Sequence, residues 1–73
     1  MRVTYDRQAN AVYFELTDEA LTPGRTTLRA PTPPGVEAFI ALDWKNDRLV
    51  GIEVLDADVI LPAKLLEEAE DLT

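Results

Sequence analysis

Apolar and polar residues alternate in several short stretches of this chain, and a period of two residues predicts β-strands. In residues 11–16, Val12, Phe14 and Leu16 fall on one face of an extended chain, and the intervening residues fall on the other. Shorter strands are predicted over residues 1–5 and 25–29. The polar segment between the first two strands predicts a hairpin connection, because Asp6 and Asn10 both favour local bonds to the backbone.

Residues 36–55 form the longest predicted unit, a hairpin of two strands over residues 36–43 and 49–55. The turn lies at residues 44–48, where Asn46 and Asp47 suit left-handed or type I positions. The first of these strands is apolar on both faces at its middle, which is typical of a strand at the centre of a sheet. Gly51 weakens the second strand and predicts a bulge or a close backbone approach.

The C-terminal segment has the period of a helix rather than of a strand. Pro62 suits the first turn of a helix over residues 62–71, and Leu65, Leu66, Ala69 and Leu72 form one apolar stripe. Loops are predicted at residues 17–24 and at 30–35, where three prolines remove backbone donors. The whole pattern predicts one α+β domain, residues 1–73. We expect an antiparallel β-meander of four to five strands with one short C-terminal helix packed on one face.

One short helix covers only one face of a sheet, so the apolar residues predicted on the other face need a second cover. A second copy of the chain supplies that cover most simply, because a two-fold dimer buries the same surface on both subunits. The alternatives are a different partner protein, or a helix that crosses the sheet obliquely and leaves a small patch. The expected interface consists of Tyr13, Phe39, Ala41, Leu49 and Leu55.

Composition limits the chemistry that this chain can perform. It has 73 residues, no Cys and no His, so disulfides and thiolate zinc sites are excluded and the commonest general base is missing. It also has no Ser, and its three glycines stand alone, which leaves no phosphate-binding loop. The 14 acidic and 7 basic residues give a net charge of −7, which repels nucleic acids and anionic lipids. We therefore expect no nucleic-acid or membrane partner, no cofactor, and a cytoplasmic protein.

Carboxylates are the remaining candidates for catalysis or metal binding. Asp43, Glu53 and Asp56 would serve a carboxylate-dependent enzyme or a divalent-metal site. Each carboxylate also has a structural explanation. Asp43 suits the turn that follows it, and Asp56 suits the end of a strand. The outward glutamates suit pairing with arginines on neighbouring strands. The spacing of a calcium loop is absent from the sequence. The leading hypothesis is a non-enzymatic, homo-oligomeric protein-interaction module.

Two segments, YDRQANAVYFEL and IALDWKNDRLVGIEVLDA, resemble the signature of a small bacterial family, the domain of unknown function family 2283. The sequence departs from the family pattern at Asn10, where Asp is frequent, and at Arg48, where Gly is frequent. The resemblance implies a β-meander with a C-terminal helix and supplies no activity. Some members are encoded beside small toxin candidates, so the resemblance also implies an antitoxin-like alternative. An acidic chain that neutralises a basic partner protein would fit the charge of −7.

Overall fold

The computed structural model describes residues 1–19 and 24–72, and within these ranges a six-stranded mixed sheet packs against two short helices. The sheet order is β3-β4-β5-β2-β1-β6, and all neighbours are antiparallel except β6, which runs parallel to β1. Neither helix of the described ranges is long and apolar enough to cross a membrane. The elements are β1 (Arg2–Asp6), β2 (Ala11–Glu15), β3 (Thr26–Arg29), β4 (Ile40–Lys45), β5 (Arg48–Leu55), α1 (Ala57–Ile60), α2 (Ala63–Glu68) and β6 (Glu70–Asp71).

The expected α+β class is confirmed, but the expected four- to five-stranded antiparallel meander is wrong. Strands β3, β4 and β5 do form a meander, whereas the β1–β2 hairpin joins the sheet on the far side of β5. Burial explains this order, because all four residues of β3 are exposed and suit an edge, whereas a central place would bury Thr and Arg. Part of the loop predicted at 17–24, residues 20–23, lies outside the described residues.

Two expected boundaries are also wrong. The strand predicted from residue 36 begins only at Ile40, because the prolines of 31–34 and a turn at Gly35 (φ 81°) precede it. The single helix predicted over 62–71 is shorter, since α2 ends at Glu68 and β6 follows it, and a second short helix, α1, precedes it. Pro62, which has no backbone donor, separates α1 from α2. After α2 the chain turns extended and pairs with β1, and the Leu72 amide donates to the Tyr5 carbonyl at 3.0 Å.

Two rows of directly paired apolar residues cross the sheet on the face that carries the helices, called here the helix-side face. Residues that lie opposite each other in a ladder point to the same face, so each row is a continuous apolar stripe. The first row joins Leu28, Leu42, Ile52, Phe14 and Val3, and the second joins Ile40, Val54, Val12 and Tyr5.

The core lies at the β1–β2 end of these rows. Tyr5, Val12 and Ala57 are its buried residues, with exposed fractions of 6%, 0% and 0%. The helical segment contributes the apolar side chains that pack over them: Leu65 and Leu66 from α2, and Leu61 and Ala69 from the residues that follow α1 and α2. Three residues of the stripe predicted for the C-terminal helix, Leu65, Leu66 and Ala69, therefore belong to the cover, whereas the fourth, Leu72, is exposed.

Both predicted hairpin connections are confirmed, and both use left-handed residues. Asn46 and Asp47 have φ values of 51° and 63°, the conformation of a two-residue type I′ turn between β4 and β5. In the β1–β2 connection, the Asp6 carboxylate accepts bonds from two backbone amides, those of Gln8 and Ala9. Asn10, with φ 52°, closes this turn just before β2.

Asn10 also ties the β1–β2 turn to the start of α1. Its side-chain oxygen accepts from the Tyr5 hydroxyl at 3.2 Å and from the Asp58 amide at 3.1 Å. Its side-chain nitrogen donates to the Asp58 carboxylate at 2.6 Å, and its carbonyl accepts from the Ala57 amide at 3.0 Å. Asp56, the residue that precedes α1, makes no side-chain cap. Asn10 therefore supplies the helix cap from a distant part of the chain.

We expect replacement of Asn10 to show how much this cap stabilises the fold. Asn10→Gly keeps the left-handed backbone and removes the side chain, so it should lower the free energy of unfolding by about 1–3 kcal/mol. Asn10→Ala should cost about 1 kcal/mol more, because alanine is strained at positive φ. Urea unfolding measures both. Gln8→Ala, at an exposed position of the same turn, is the control and should change stability by less than about 0.5 kcal/mol. Equal losses for Asn10→Gly and Gln8→Ala would contradict this role.

Candidate interaction surface

The helices cover only one half of the helix-side face. Their apolar side chains pack around Tyr5, Val12 and Ala57, at the β1–β2 end of the apolar rows. Beyond the helices, the first row continues through β5 and β4 to Leu28 on the edge strand β3, and the second row continues through β5 to Ile40 on β4. There Leu28 is 57% exposed, and Ile40, Leu42 and Ile52 are half-buried. This uncovered surface is called here the open half, and it consists of Leu28, Ile40, Leu42 and Ile52.

The dimensions of the molecule reflect this missing cover. The chain exposes 5226 Å². A monomeric protein of 8.1 kDa is expected to expose about 4500 Å². The Cα radius of gyration is 12.5 Å, whereas a compact domain of 73 residues is expected near 11 Å. With extents of 32 × 30 × 18 Å, the molecule is a broad and thin layer. This breadth agrees with a wide sheet whose cover is narrow.

The two edges of the sheet are less available to a partner than the open half. Strand β3 has four residues, and Pro31 follows it closely, so its free edge is short. Arg29 adds a charge at this edge, which discourages pairing with another strand. At the other edge, β6 pairs with Thr4 and Tyr5 of β1 and covers its middle. A partner therefore meets more uncovered apolar surface on the face than at the edges.

The opposite face of the sheet, called here the polar face, holds a buried carboxylate. Asp43 is 4% exposed, and its oxygens accept from the Tyr13 hydroxyl at 2.6 Å and the Thr27 hydroxyl at 2.5 Å. The Arg25 guanidinium lies 3.4 Å away and balances the charge. No buried side-chain polar atom in the described ranges lacks a partner. The prediction that Asp43 serves the turn is wrong, because it joins three strands two residues before that turn.

Gly51 makes room for this cluster. A Cβ at position 51 would overlap the hydroxyl and ring of Tyr13, which crosses the glycine to reach Asp43. The register of β4 and β5 also shifts here: Asp43 pairs with Gly51 and Trp44 with Leu49, which leaves Val50 as the extra residue of a bulge. Both features that the sequence predicted for Gly51, a bulge and a close approach, are present at this point.

Burial raises the pKa of Tyr13 above its usual value near 10, and the hydrogen bond to the Asp43 carboxylate raises it further. The carboxylate is an acceptor for the protonated hydroxyl and repels the phenolate. The neutral form of Tyr13 is therefore the form that the folded state favours.

The structure gives the five expected interface residues different surroundings, some polar and some apolar. Ala41 is 2% exposed and lies between Arg29 and Glu53 in the sheet. Phe39 lies under the Arg29 guanidinium, 5.3 Å from its ring centre. The other three are half-buried: Tyr13 is bonded to Asp43, Leu49 lies opposite Trp44, and Leu55 lies opposite Ala11. Their role in an interface stays a prediction.

Sequence reasoning missed the open half, although its signal was present. Leu28, Leu42 and Ile52 each stand at the apolar position of an alternating strand, and Ile40 shares the face of Leu42. The missing information was the register and the width of the sheet. Once β2 lies beside β5, the helices reach only one end of the apolar rows.

The carboxylates considered for catalysis do not converge. Asp43 is occupied by its three partners, and Glu53 lies opposite Tyr13 and Ala41. Asp56 is exposed at a left-handed turn (φ 53°) before α1. Among the described residues, no group of three or more acidic side chains is placed to hold a metal ion.

The expected pairing of an outward glutamate with an arginine is confirmed at Glu15. Arg2 lies 3.5 Å from Glu15 and 2.6 Å from Glu70, in an exposed network across β2, β1 and β6. The hydrogen bond from Arg2 lowers the pKa of Glu70. Exposed ion pairs of this kind contribute little to stability.

We expect Gly51→Ala to lower the free energy of unfolding by about 2–4 kcal/mol, because Tyr13 must move and Asp43 then loses a donor. In a Tyr13→Leu background the ring hydroxyl is absent, so the added cost of Gly51→Ala should fall below about 0.5 kcal/mol. Urea unfolding of the four proteins of this double-mutant cycle measures the coupling. The same cost in both backgrounds would contradict the account of Gly51.

The raised pKa of Tyr13 predicts a loss of stability in alkali. Below about pH 10 the hydroxyl keeps its proton in both states. Above that pH the unfolded state releases the proton first, so the free energy of unfolding falls as pH rises toward the folded-state pKa. Tyr13→Phe lacks this titration. The stability difference between wild type and Tyr13→Phe should therefore shrink between about pH 8 and about pH 11. A difference in the free energy of unfolding that stays the same over this pH range would refute the assignment of this titration to Tyr13.

A comparison with protein families completes the description of this chain. A family model described as a protein of unknown function (DUF2283) matches residues 2–57, which comprise β1 to β5 and the first residue of α1. The match therefore includes the open half and the Tyr13–Asp43 cluster, and it ends before α2. No curated protein and no solved structure matches the chain. Because the model covers more than half of the 73 residues, the chain belongs to this family of proteins of unknown function.

Proposed function

We propose that this protein is a non-enzymatic interaction module that assembles with a second copy of itself through the open half. The observation that carries the proposal is the pair of apolar rows that extend from under the helices, one to Ile40 on β4 and the other to an exposed Leu28 on β3. Contiguous apolar surfaces of this kind mark interaction sites in soluble proteins. A self-complementary contact requires only one such surface on each chain.

The chain exposes enough surface to include an interface of standard size. The excess over a typical monomer of this mass is roughly 700 Å². A standard protein interface buries about 800 Å² on each partner. A chain of 73 residues also has a thin core, and association stabilises such a chain by mass action. Association would therefore stabilise a chain whose own core is thin.

The buried carboxylate supports a structural rather than a catalytic polar face. A general base or a metal ligand needs free lone pairs that face a substrate or an ion. Both oxygens of Asp43 already accept hydrogen bonds from within the sheet. The cluster fixes β2, β3 and β4 relative to one another, and it thereby holds the apolar rows in register.

A basic partner protein is the alternative, and the distribution of charge favours it. Arg2, Arg7 and Arg25 are held in ion pairs within the chain, so many carboxylates stay exposed without a cation. Salt separates the two functions. At about 1 M sodium chloride the Debye length is about 3 Å, which removes an acidic–basic complex and leaves an apolar contact intact.

We expect Leu28→Lys to weaken self-association at least about tenfold, a change of about 1.4 kcal/mol, because the contact would bury an unpaired ammonium group. Light scattering after gel filtration measures the mass, which should approach twice 8.1 kDa for the wild type at high micromolar concentration. The unfolding temperature of the wild type should also rise with protein concentration.

Leu72→Lys is the matched control for this variant. Leu72 is 54% exposed, close to the 57% of Leu28, and it follows β6 at the other edge of the sheet. The two variants have the same charge, so only the position differs. Leu72→Lys should associate like the wild type. A wild-type mass of 8.1 kDa at every concentration would refute the proposal, as would equal effects of the two variants.

A further inference from the structure

We infer that the two copies are related by a two-fold axis that runs along the strands, so that both β4–β5 turns lie at the same end of the dimer. The inference rests on the proposed function and specifies how the two open halves meet. It follows from the position of the helices on the helix-side face.

The helices limit how a second sheet can approach. Two sheets in face-to-face contact lie about 10 Å apart. An α-helix with its side chains is itself about 10–12 Å thick, so no second sheet can lie over α1 and α2 at that spacing. The partner must therefore place its sheet over the open half and keep its own helices to the side.

A two-fold axis that lies parallel to the two sheets can run along the strands or across them. Only the axis along the strands places the partner's sheet over the open half and its helices to the side. Rotation about an axis along β4 reverses the order of the strands, so that the β3 edge of one copy faces the β6 side of the other. The open halves then lie on each other, and the helices of the two copies lie at opposite sides of the dimer. Rotation about an axis across the strands keeps the order of the strands, so that each element of one copy lies over the same element of the other. It would stack helix on helix, hold the sheets roughly 20 Å apart and leave Leu28 uncovered.

The arrangement with the axis along the strands also agrees with the way in which two sheets pack face to face in β-sandwiches. Their strand directions stay within about 30° of each other, and here the strands of both copies run the same way. The helices of each copy then lie beyond the β3 edge of the other. That edge, which has exposed residues and few strand neighbours, gains a flank from the partner.

Two single-cysteine variants distinguish the axes, because the chain has no cysteine of its own. Arg48 marks the β4–β5 turn and Lys64 marks α2, and both residues are exposed. With the axis along the strands, the two copies of position 48 lie roughly 15 Å apart and those of position 64 roughly 30 Å apart. With the axis across the strands, the copies of position 48 lie a strand length apart on sheets roughly 20 Å apart, which gives roughly 33 Å, and those of position 64 lie roughly 10 Å apart.

Pulsed electron paramagnetic resonance on the nitroxide-labelled Arg48→Cys and Lys64→Cys variants measures these separations in the full chain. The expected result is a shorter distance for position 48 than for position 64. Adding Leu28→Lys to either variant should remove the dipolar signal, which ties the distance to the open half.

The outcomes separate this inference from the function on which it rests. A reversed order of the two distances in a stable dimer would overturn the axis and leave self-association intact. A dimer whose distances survive Leu28→Lys would show that another surface is used, which overturns both. The absence of any dipolar signal in the wild-type background would show that the chain does not self-associate.

Discussion

The dominant constraint on this structure is that two short helices pack over only one end of a wide sheet. Two apolar rows cross the helix-side face, the longer one over five of the six strands, but the two helices supply only ten helical residues, four in α1 and six in α2. These helices pack over β1 and β2, and burial is complete at Val12 of β2 and at Ala57 of α1. The proposed self-association follows from this imbalance, because β3, β4 and β5 carry the same apolar rows without the same cover.

The polar face has the complementary task of keeping the sheet in register. Tyr13 and Thr27, from strands that do not touch each other, both donate to Asp43 on β4. Gly51 allows the Tyr13 ring to cross β5, and the bulge at Val50 lies directly beside it. Because every one-residue slip would move an apolar row to the other face, this polar cluster supports the apolar surface that faces away from it.

Much of the local structure was predictable from the sequence, since turn residues and alternation are local signals. Asn46 and Asp47 favoured a left-handed turn, and Gly51 indicated a bulge or a close approach. The order of the strands was not predictable, because it depends on which strand joins β2, and β5 offers a longer partner than β3. The role of Asp43 depends on this long-range order, since Tyr13 is 30 residues away.

The C-terminal segment shows the same limit. The apolar stripe of Leu65, Leu66 and Ala69 indicated which side chains cover the core, and they do. The pattern did not reveal that the chain returns to a strand after Ala69, because the partner for that strand, β1, is at the other end of the chain. A helix that ends early covers less of the sheet, which explains why the open half was not recognised.

The most direct test of this account is to identify which face of the sheet contacts the second copy. Nuclear Overhauser effects, filtered for pairs of labelled and unlabelled chains, report contacts between subunits. The account predicts such contacts at the methyl groups of Leu28, Ile40, Leu42 and Ile52. Contacts at Ala41 and Leu55 of the polar face instead, or none at concentrations where the chain is dimeric, would contradict it.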